Sequence, residues 1–297
     1  MIPLVKLREN LQFARDLQEM IEVLKGATAS QFRSLQNRRK GFEQFKATLE
    51  DFLATLVVRR PVHPFLRERA SLPKAVLMIT SDEGFMGSLN AMVVNAGLEQ
   101  AGSEDELVVM GERGGRYVSE NQRGDFTFLP GIGDDITYKR AVSVRDLLIN
   151  RFLAKKIGSV WVAFPRFLSL TVQHVDVVRV LPCGDIFGTK ERRARIDRPD
   201  TLLEPTEAKV IDYLVKAWMM QKLYDIFWES KLSECAARII HLEGSYEEIL
   251  STNKKLVYEY FKHFHARSDK NIREIFASRL RWQRVPAEPK AIEGRQA

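Results

Sequence analysis

Ser81-Asp82-Glu83-Gly84 places a hydroxyl and two carboxylates directly after an apolar run, the kind of strand end from which general acid–base groups work. A working pair also needs a base or a nucleophile beside it. No histidine stands near this segment, and no Gly-x-Ser-x-Gly elbow occurs in the chain. The other reading is a helix cap or a turn. Gly111-Glu112-Arg113-Gly114-Gly115-Arg116 also follows an apolar run, and its amides and two arginines could hold an anion. It does not spell Gly-x-Gly-x-x-Gly, and a strand-to-helix turn uses glycine for steric reasons as well. Gly184-Asp185-Ile186-Phe187-Gly188-Thr189-Lys190 is one residue short of a phosphate loop, and Lys190 is followed by Glu191, so it reads as a turn. His63, His174, His241, His263 and His265 form no His-Glu-x-x-His pair, and Cys183 and Cys235 are too few for a structural zinc site without histidine. The expectation is two buried thiols, no catalytic residue, no metal and no cofactor.

Two long helical regions flank these segments. From Leu4 to about Val58 the apolar residues Leu4, Leu7, Leu11, Ala14, Leu17, Ile21 and Leu24, then Phe42, Phe45, Leu49, Phe52 and Leu56, keep helical spacing, and no proline falls between Pro3 and Pro61. An unbroken helix of that span would run roughly 80 Å and would need a partner; the run Arg38-Arg39-Lys40-Gly41 is the place where it could break. A second helix is predicted from about Thr206 to about Arg281. Cys235, Leu242, Ile249 and Leu256 recur every seven residues, with Leu232, Ile239, Tyr246, Asn253 and Tyr260 offset by four, which is a coiled-coil seam. Each end carries an apolar stripe that it cannot bury alone, so an intramolecular antiparallel pair is expected, with two independent helical domains as the alternative.

Between them, strands are predicted at 75–80, 107–110, 126–128, 159–164 and 168–181, and helices at 89–100 and 138–156. This alternation belongs to a layered, Rossmann-like α/β domain with a parallel sheet. The expected division is residues 1–61, an N-terminal coiled-coil helix; 62–204, the α/β domain; 205–284, a C-terminal coiled-coil helix; and 285–297, a disordered tail.

The chain has 297 residues, of which 29% are charged and 45% hydrophobic, enough apolar mass for a core. Its longest stretch without a charge, residues 84–98, is too short to cross a bilayer, and the N-terminus lacks a signal-peptide pattern, so a cytoplasmic protein is expected. The formal charge of +7 comes from 46 bases against 39 acids in mixed order, a weak sign of acidic partners and not the clustered basic face of a nucleic-acid binder.

The run Ser81-Asp82-Glu83-Gly84-Phe85-Met86-Gly87-Ser88-Leu89-Asn90 resembles the signature Ser-Asp-Arg-Gly-Leu-Cys-Gly-Gly-Leu-Asn of the gamma subunit of F-type ATP synthases, with Glu83, Met86 and Ser88 in place of Arg, Cys and Gly. The likeness extends to Leu7-Arg8, Gln18, Ala29-Ser30 and Arg33 in the first helix, Gly111-x-Arg113-Gly114, Phe167, Gln173, Glu204-Pro205, Leu223-Tyr224 and Ser233-Glu234-x-Ala236-Ala237-Arg238. Arg267 and Glu274 keep the ends of the family's Arg-Gln-x-x-Ile-Thr-x-Glu, whose Gln and Thr are absent here. His241-Leu242-Glu243-Gly244 is similar to the alternate branch of F-type ATPases.

The resemblance implies a non-catalytic central-stalk rotor subunit that couples proton or sodium movement to ATP synthesis or hydrolysis. Its implied partners are the alpha and beta subunits of the catalytic hexamer, the epsilon subunit and the membrane c-ring, with no nucleic acid. The implied location is the cytoplasmic face of the inner (cell) membrane, as a peripheral part of the complex. Arg33, Arg267 and Glu274 are then the expected hexamer contacts, with a solvated charged helix face as the alternative, and Ser81, Asp82 and Gly84 the expected structural turn of the base domain. A repurposed coiled-coil scaffold and a basic nucleic-acid-binding protein are the rival functions.

Overall fold

A computed structural model of the chain describes residues 3–38, 43–58, 62–67, 69–121, 125–133, 135–183 and 204–282. Two compact units emerge: one made of Met1–Val23 with Ser245–Ala297, the other of Leu24–Gly244.

The larger unit is built on a five-stranded sheet of order β3-β2-β1-β4-β5. Its strands are β1 (Lys74–Ile79), β2 (Glu106–Met110), β3 (Phe126–Leu129), β4 (Ser159–Phe167) and β5 (Gln173–Leu181). The first four run parallel and β5 is antiparallel to β4. Helices α1 (Leu4–Arg38), α2 (Glu43–Val58), α3 (Leu89–Gln100), α4 (Glu112–Glu120), α5 (Tyr138–Leu153) and α6 (Glu207–Trp282) complete the described elements, with a short 3-10 turn at Pro64–Leu66.

Alternation along β1 explains the layering. Ala75, Leu77 and Ile79 face one core with Leu148 and Phe152 of α5 and Val215, Met219 and Phe227 of α6. Val76 and Met78 face the other with Val93 and Val94 of α3 and Val118 of α4. A strand covered on both faces has no polar position, which is why Ala75–Ile79 reads as an uninterrupted apolar run. Each large side chain buried here contributes about 1.5–3 kcal/mol. The first half of α6 is covered so fully that Ser230 through Arg238 are all buried.

In the smaller unit, α1 and α6 lie antiparallel: Asn253 Nδ2 donates to Ala14 O at 3.5 Å and to Gln18 Oε1 at 2.8 Å, and Gln18 Nε2 donates to the Tyr246 hydroxyl at 3.5 Å. Leu7, Ala14 and Ile21, seven apart, are buried, while Leu4, Leu11 and Leu17 are half-buried.

Several expectations need correction. The N-terminal region is described as two helices, Leu4–Arg38 and Glu43–Val58, on either side of residues 39–42, which lie outside the described residues and fall at the basic run where a break was foreseen. On α2 the buried stripe is Leu49, Leu53 and Leu56, and Phe52 is exposed, because the 4-then-3 spacing centres on Leu53. Leu24, at the edge of its stripe, is exposed as well. The strand foreseen over 168–181 starts only at Gln173. Ser169 Oγ accepts from the Val172 amide at 3.1 Å, a hydroxyl turn that joins β4 to β5 and leaves Leu168, Leu170 and Val172 exposed. Helix α5 stops at Leu153 because Lys155 takes φ 58° and the Lys156 amide returns to Arg151 O, a left-handed cap. The tail beyond 285 and the turn at Gly184–Lys190 lie outside the described residues.

Candidate functional site

The segment after β1 forms a polar junction of short bonds. Thr80 Oγ1 donates to Met110 O at 2.7 Å and accepts from the Gly114 amide at 3.1 Å, which fixes the end of β1 to the start of α4. The buried Ser81 is held by Asn90 of α3: the Ser81 amide donates to Asn90 Oδ1 at 3.0 Å, and Asn90 Nδ2 donates to Ser81 Oγ at 2.9 Å. Asp82 Oδ1 accepts from the Glu112 amide at 3.0 Å, at the positive N-terminal end of α4, and from the Gly131 amide at 3.2 Å. Gly84 stands where an added Cβ would lie 3.0 Å from the Arg113 guanidinium.

The polar groups of this segment are engaged in structural bonds, the Ser81 hydroxyl with Asn90 and Glu83 O. Asp82 is occupied by amides, and Glu83 pairs with Arg238 of α6, whose Nε also donates to Gly84 O at 3.4 Å. The glycines after β2 have a steric use. Gly111 has φ +103° and its Cβ would sit 2.4 Å from Thr80 O, while a Cβ on Gly114 would sit 2.3 Å from Thr80 Oγ1. Among the described residues no group of three or more His, Cys, Asp or Glu is placed to hold a metal ion. No described helix is long and apolar enough to cross a membrane.

One turn of α6 below Arg238 lies a buried ion pair, Lys231 Nζ to Glu234 Oε2 at 3.2 Å. Burial opposes both charges and pushes the Glu234 carboxyl up. It works against the Lys231 ammonium as well, but the adjacent Glu234, with help from Glu83, holds that ammonium above its ordinary range. Burial, then the Glu234 charge, raises the Cys235 thiol to about 11, and burial raises Cys183 to about 12, so both free cysteines stay protonated.

The expected contact residues fall in different places. Arg33 is exposed on α1 in the larger unit; Arg267 and Glu274 are exposed on α6 in the smaller one, where Lys270 Nζ lies 3.9 Å from Glu274. Sequence reasoning passed over Thr80, Asn90, Glu229 and Lys231. Asn90 stood in the signature run; Thr80 and Glu229 have partners 30 or more residues away, and Lys231, three residues before Glu234, reads locally as one of many charged helix positions until its burial is seen.

A protein-family model described as ATP synthase matches residues 4–278. The ATP synthase gamma chain of Halothermothrix orenii is 24% identical over 275 residues, covering 91% of this chain and 95% of that one. The gamma chain of Methylacidiphilum infernorum is 22% identical over 280 residues, covering 91% and 94%. Among solved structures, a chain of the mitochondrial ATP synthase of Euglena gracilis, captured in rotational state 3, matches with a TM-score of 0.69 at 16% identity, over 97% of this chain and 98% of that one. A chain of the same enzyme's rotor in rotational state 1 matches with a TM-score of 0.64 at 16% identity, over 89% and 98%.

Proposed function

This chain belongs to the ATP synthase family, as a gamma chain and non-catalytic central-stalk rotor subunit, and from that premise we propose how its parts act. The two terminal helical regions, residues 1–61 and 205–284, serve as the shaft inside a hexamer of alpha and beta subunits, and residues 62–204 serve as the base, beside an epsilon subunit and a membrane c-ring. The proposed site is the cytoplasmic face of the cell membrane, where the complex couples proton or sodium flow to ATP synthesis or hydrolysis.

The observation that carries this reading is the extent of the family match, which takes in both long helices and the whole sheet between them. A shaft meeting three equivalent catalytic sites has to show each a different face, and an antiparallel helix pair has no rotational symmetry about its long axis with which to show them the same one. Rotation then changes which site closes on nucleotide, through contacts that differ between states. Arg33, Arg267 and Glu274 are proposed as such contacts: all three are exposed, and Arg267 and Glu274 stand seven residues apart on one helix face. Ser81, Asp82 and Gly84 are proposed as the structural turn of the base.

Co-expression with the alpha and beta subunits of its source, followed by sizing and an ATP hydrolysis assay, tests the reading. A single large complex that hydrolyses ATP only when this chain is present supports it. A chain that stays alone in the presence of both partners overturns it in favour of a repurposed scaffold.

A further inference from the structure

A doubly wound sheet binds its ligand in the crevice outside the carboxyl ends of its strands, where the connections leave for opposite sides. Here that place lies between β1, whose connection runs through α3 toward β2, and β4, reached from β3 through α5. In this chain α6 fills it. Glu229 Oε2 accepts from the Phe167 amide at 3.2 Å, and one turn on, Ser233 Oγ donates to Pro165 O at 3.2 Å, both at the end of β4. One turn further, Ala237 packs on Met86 and Leu89, and Arg238 pairs with Glu83 and donates to Gly84 O, both in the segment after β1.

Glu229, Ser233, and Ala237 with Arg238 are spaced four and four to five apart, so they share one face of the helix. The contacts differ in kind from the apolar packing beneath them. Burial of Val215, Met219 and Phe227 holds the helix on the sheet and sets which face points inward, but it penalises a small rotation about the helix axis less sharply than directional bonds do. Hydrogen bonds to one backbone amide and two backbone carbonyls, and a charged pair, are directional and lose most of their strength on misalignment. The segment after β1 is itself anchored, since Thr80 and Ser81 are tied to α4 and α3.

We propose that the ligand crevice of this α/β domain has become a grip on its own C-terminal helix, in which Glu229, Ser233, Arg238 and Glu83 are positioning residues that lock the helix about its axis and pass torque between it and the sheet. The inference rests on the rotor reading above. It assigns to Glu83, the residue that departs from the family's arginine, the task of holding Arg238.

The test uses the whole membrane complex and reads ions pumped per ATP hydrolysed, together with hydrolysis rate, complex yield and melting temperature. Wild-type complex that pumps in strict dependence on this chain secures the rotor reading first; failure at that stage counts against the reading and, with it, the grip. With wild type working, E83Q/S233A is expected to hydrolyse ATP at near the normal rate while ions per ATP fall about twofold or more. The charge exchange E83R/R238E is expected to recover most of what R238E alone loses. Should the double variant assemble poorly, S233A alone, which removes one hydroxyl, is expected to shift the ratio in the same direction at normal yield. An unchanged ratio in S233A and in E83Q/S233A overturns the grip and leaves the rotor reading standing. A loss confined to yield and melting temperature, with the ratio intact, also overturns it, because that is a purely structural role.

Discussion

The Gly114 amide lies 3.1 Å from Thr80 Oγ1, and the same approach would bring a Cβ on Gly114 to 2.3 Å from that oxygen. One contact therefore requires both a hydroxyl on the residue after β1 and no side chain at the start of α4. Gly114→Ala is expected to destabilise the chain by about 1–3 kcal/mol, since helix α4 has to move off the sheet to admit the methyl group. Gly26→Ala, on α1 with open space around its Cβ, is expected to stabilise by up to about 1 kcal/mol through helix propensity. Thermal melts of the two variants against wild type check both signs.

The pair Lys231–Glu234 has its side chains almost wholly enclosed. Lys231→Met leaves a buried carboxylate without its nearest cation and is expected to cost about 3–5 kcal/mol. The double change Lys231→Met with Glu234→Leu removes both charges and is expected to recover most of that loss. Urea titration of the three proteins measures it; equal losses in the single and the double variant would show that packing, not charge, is at stake.

His63 precedes the 3-10 turn, and its Nδ1 accepts from the Phe65 amide at 3.4 Å. Burial lowers its pKa from the ordinary 6.5, Asp212 acting in the opposite sense and Lys216 in the same one. The unfolded chain therefore binds this proton more readily than the folded chain. The contribution to stability is complete above about pH 6.5 and is lost as pH falls through that value toward the lower folded pKa. His63→Asn, which keeps an acceptor for the Phe65 amide, is expected to flatten the slope of stability between pH 7 and 5, read by denaturant midpoints across that range.

Arg267 and Glu274 are exposed, and the Lys270–Glu274 pair at 3.9 Å adds little to stability. Replacing both by alanine is expected to leave the melting temperature of the isolated chain within about a degree or two of wild type. In the assembled complex the same change is expected to lower ATP hydrolysis. Loss of folding in the isolated chain would instead assign these residues to the fold.

Much of the architecture is legible in the residues themselves. The apolar run Ala75–Ile79 can only be a strand covered on both faces, and the seven-residue recurrence through Leu242 announces a helix pair. At Ser81-Asp82-Glu83 the sequence offers a turn as the alternative to an acid–base pair, since no histidine stands beside the carboxylates. What the sequence hides is long-range: Asp82 meets Glu112 and Gly131, Glu83 meets Arg238, and Glu229 meets Phe167. No spacing rule connects residues 30 to 155 positions apart, so these bonds appear only when the sheet, its connections and α6 are seen together. The break between Leu168 and Gln173 was hidden for the opposite reason: a hydroxyl turn inside an apolar stretch overrides its strand propensity.

The most direct test of a rotor is to see it turn. With the alpha–beta hexamer fixed to a surface and a bead attached to a cysteine introduced on the base of this chain, added ATP is predicted to drive one-way rotation with three evenly spaced pauses per turn, one for each catalytic site. A bead that shows only thermal jitter while the same complexes hydrolyse ATP would contradict the account.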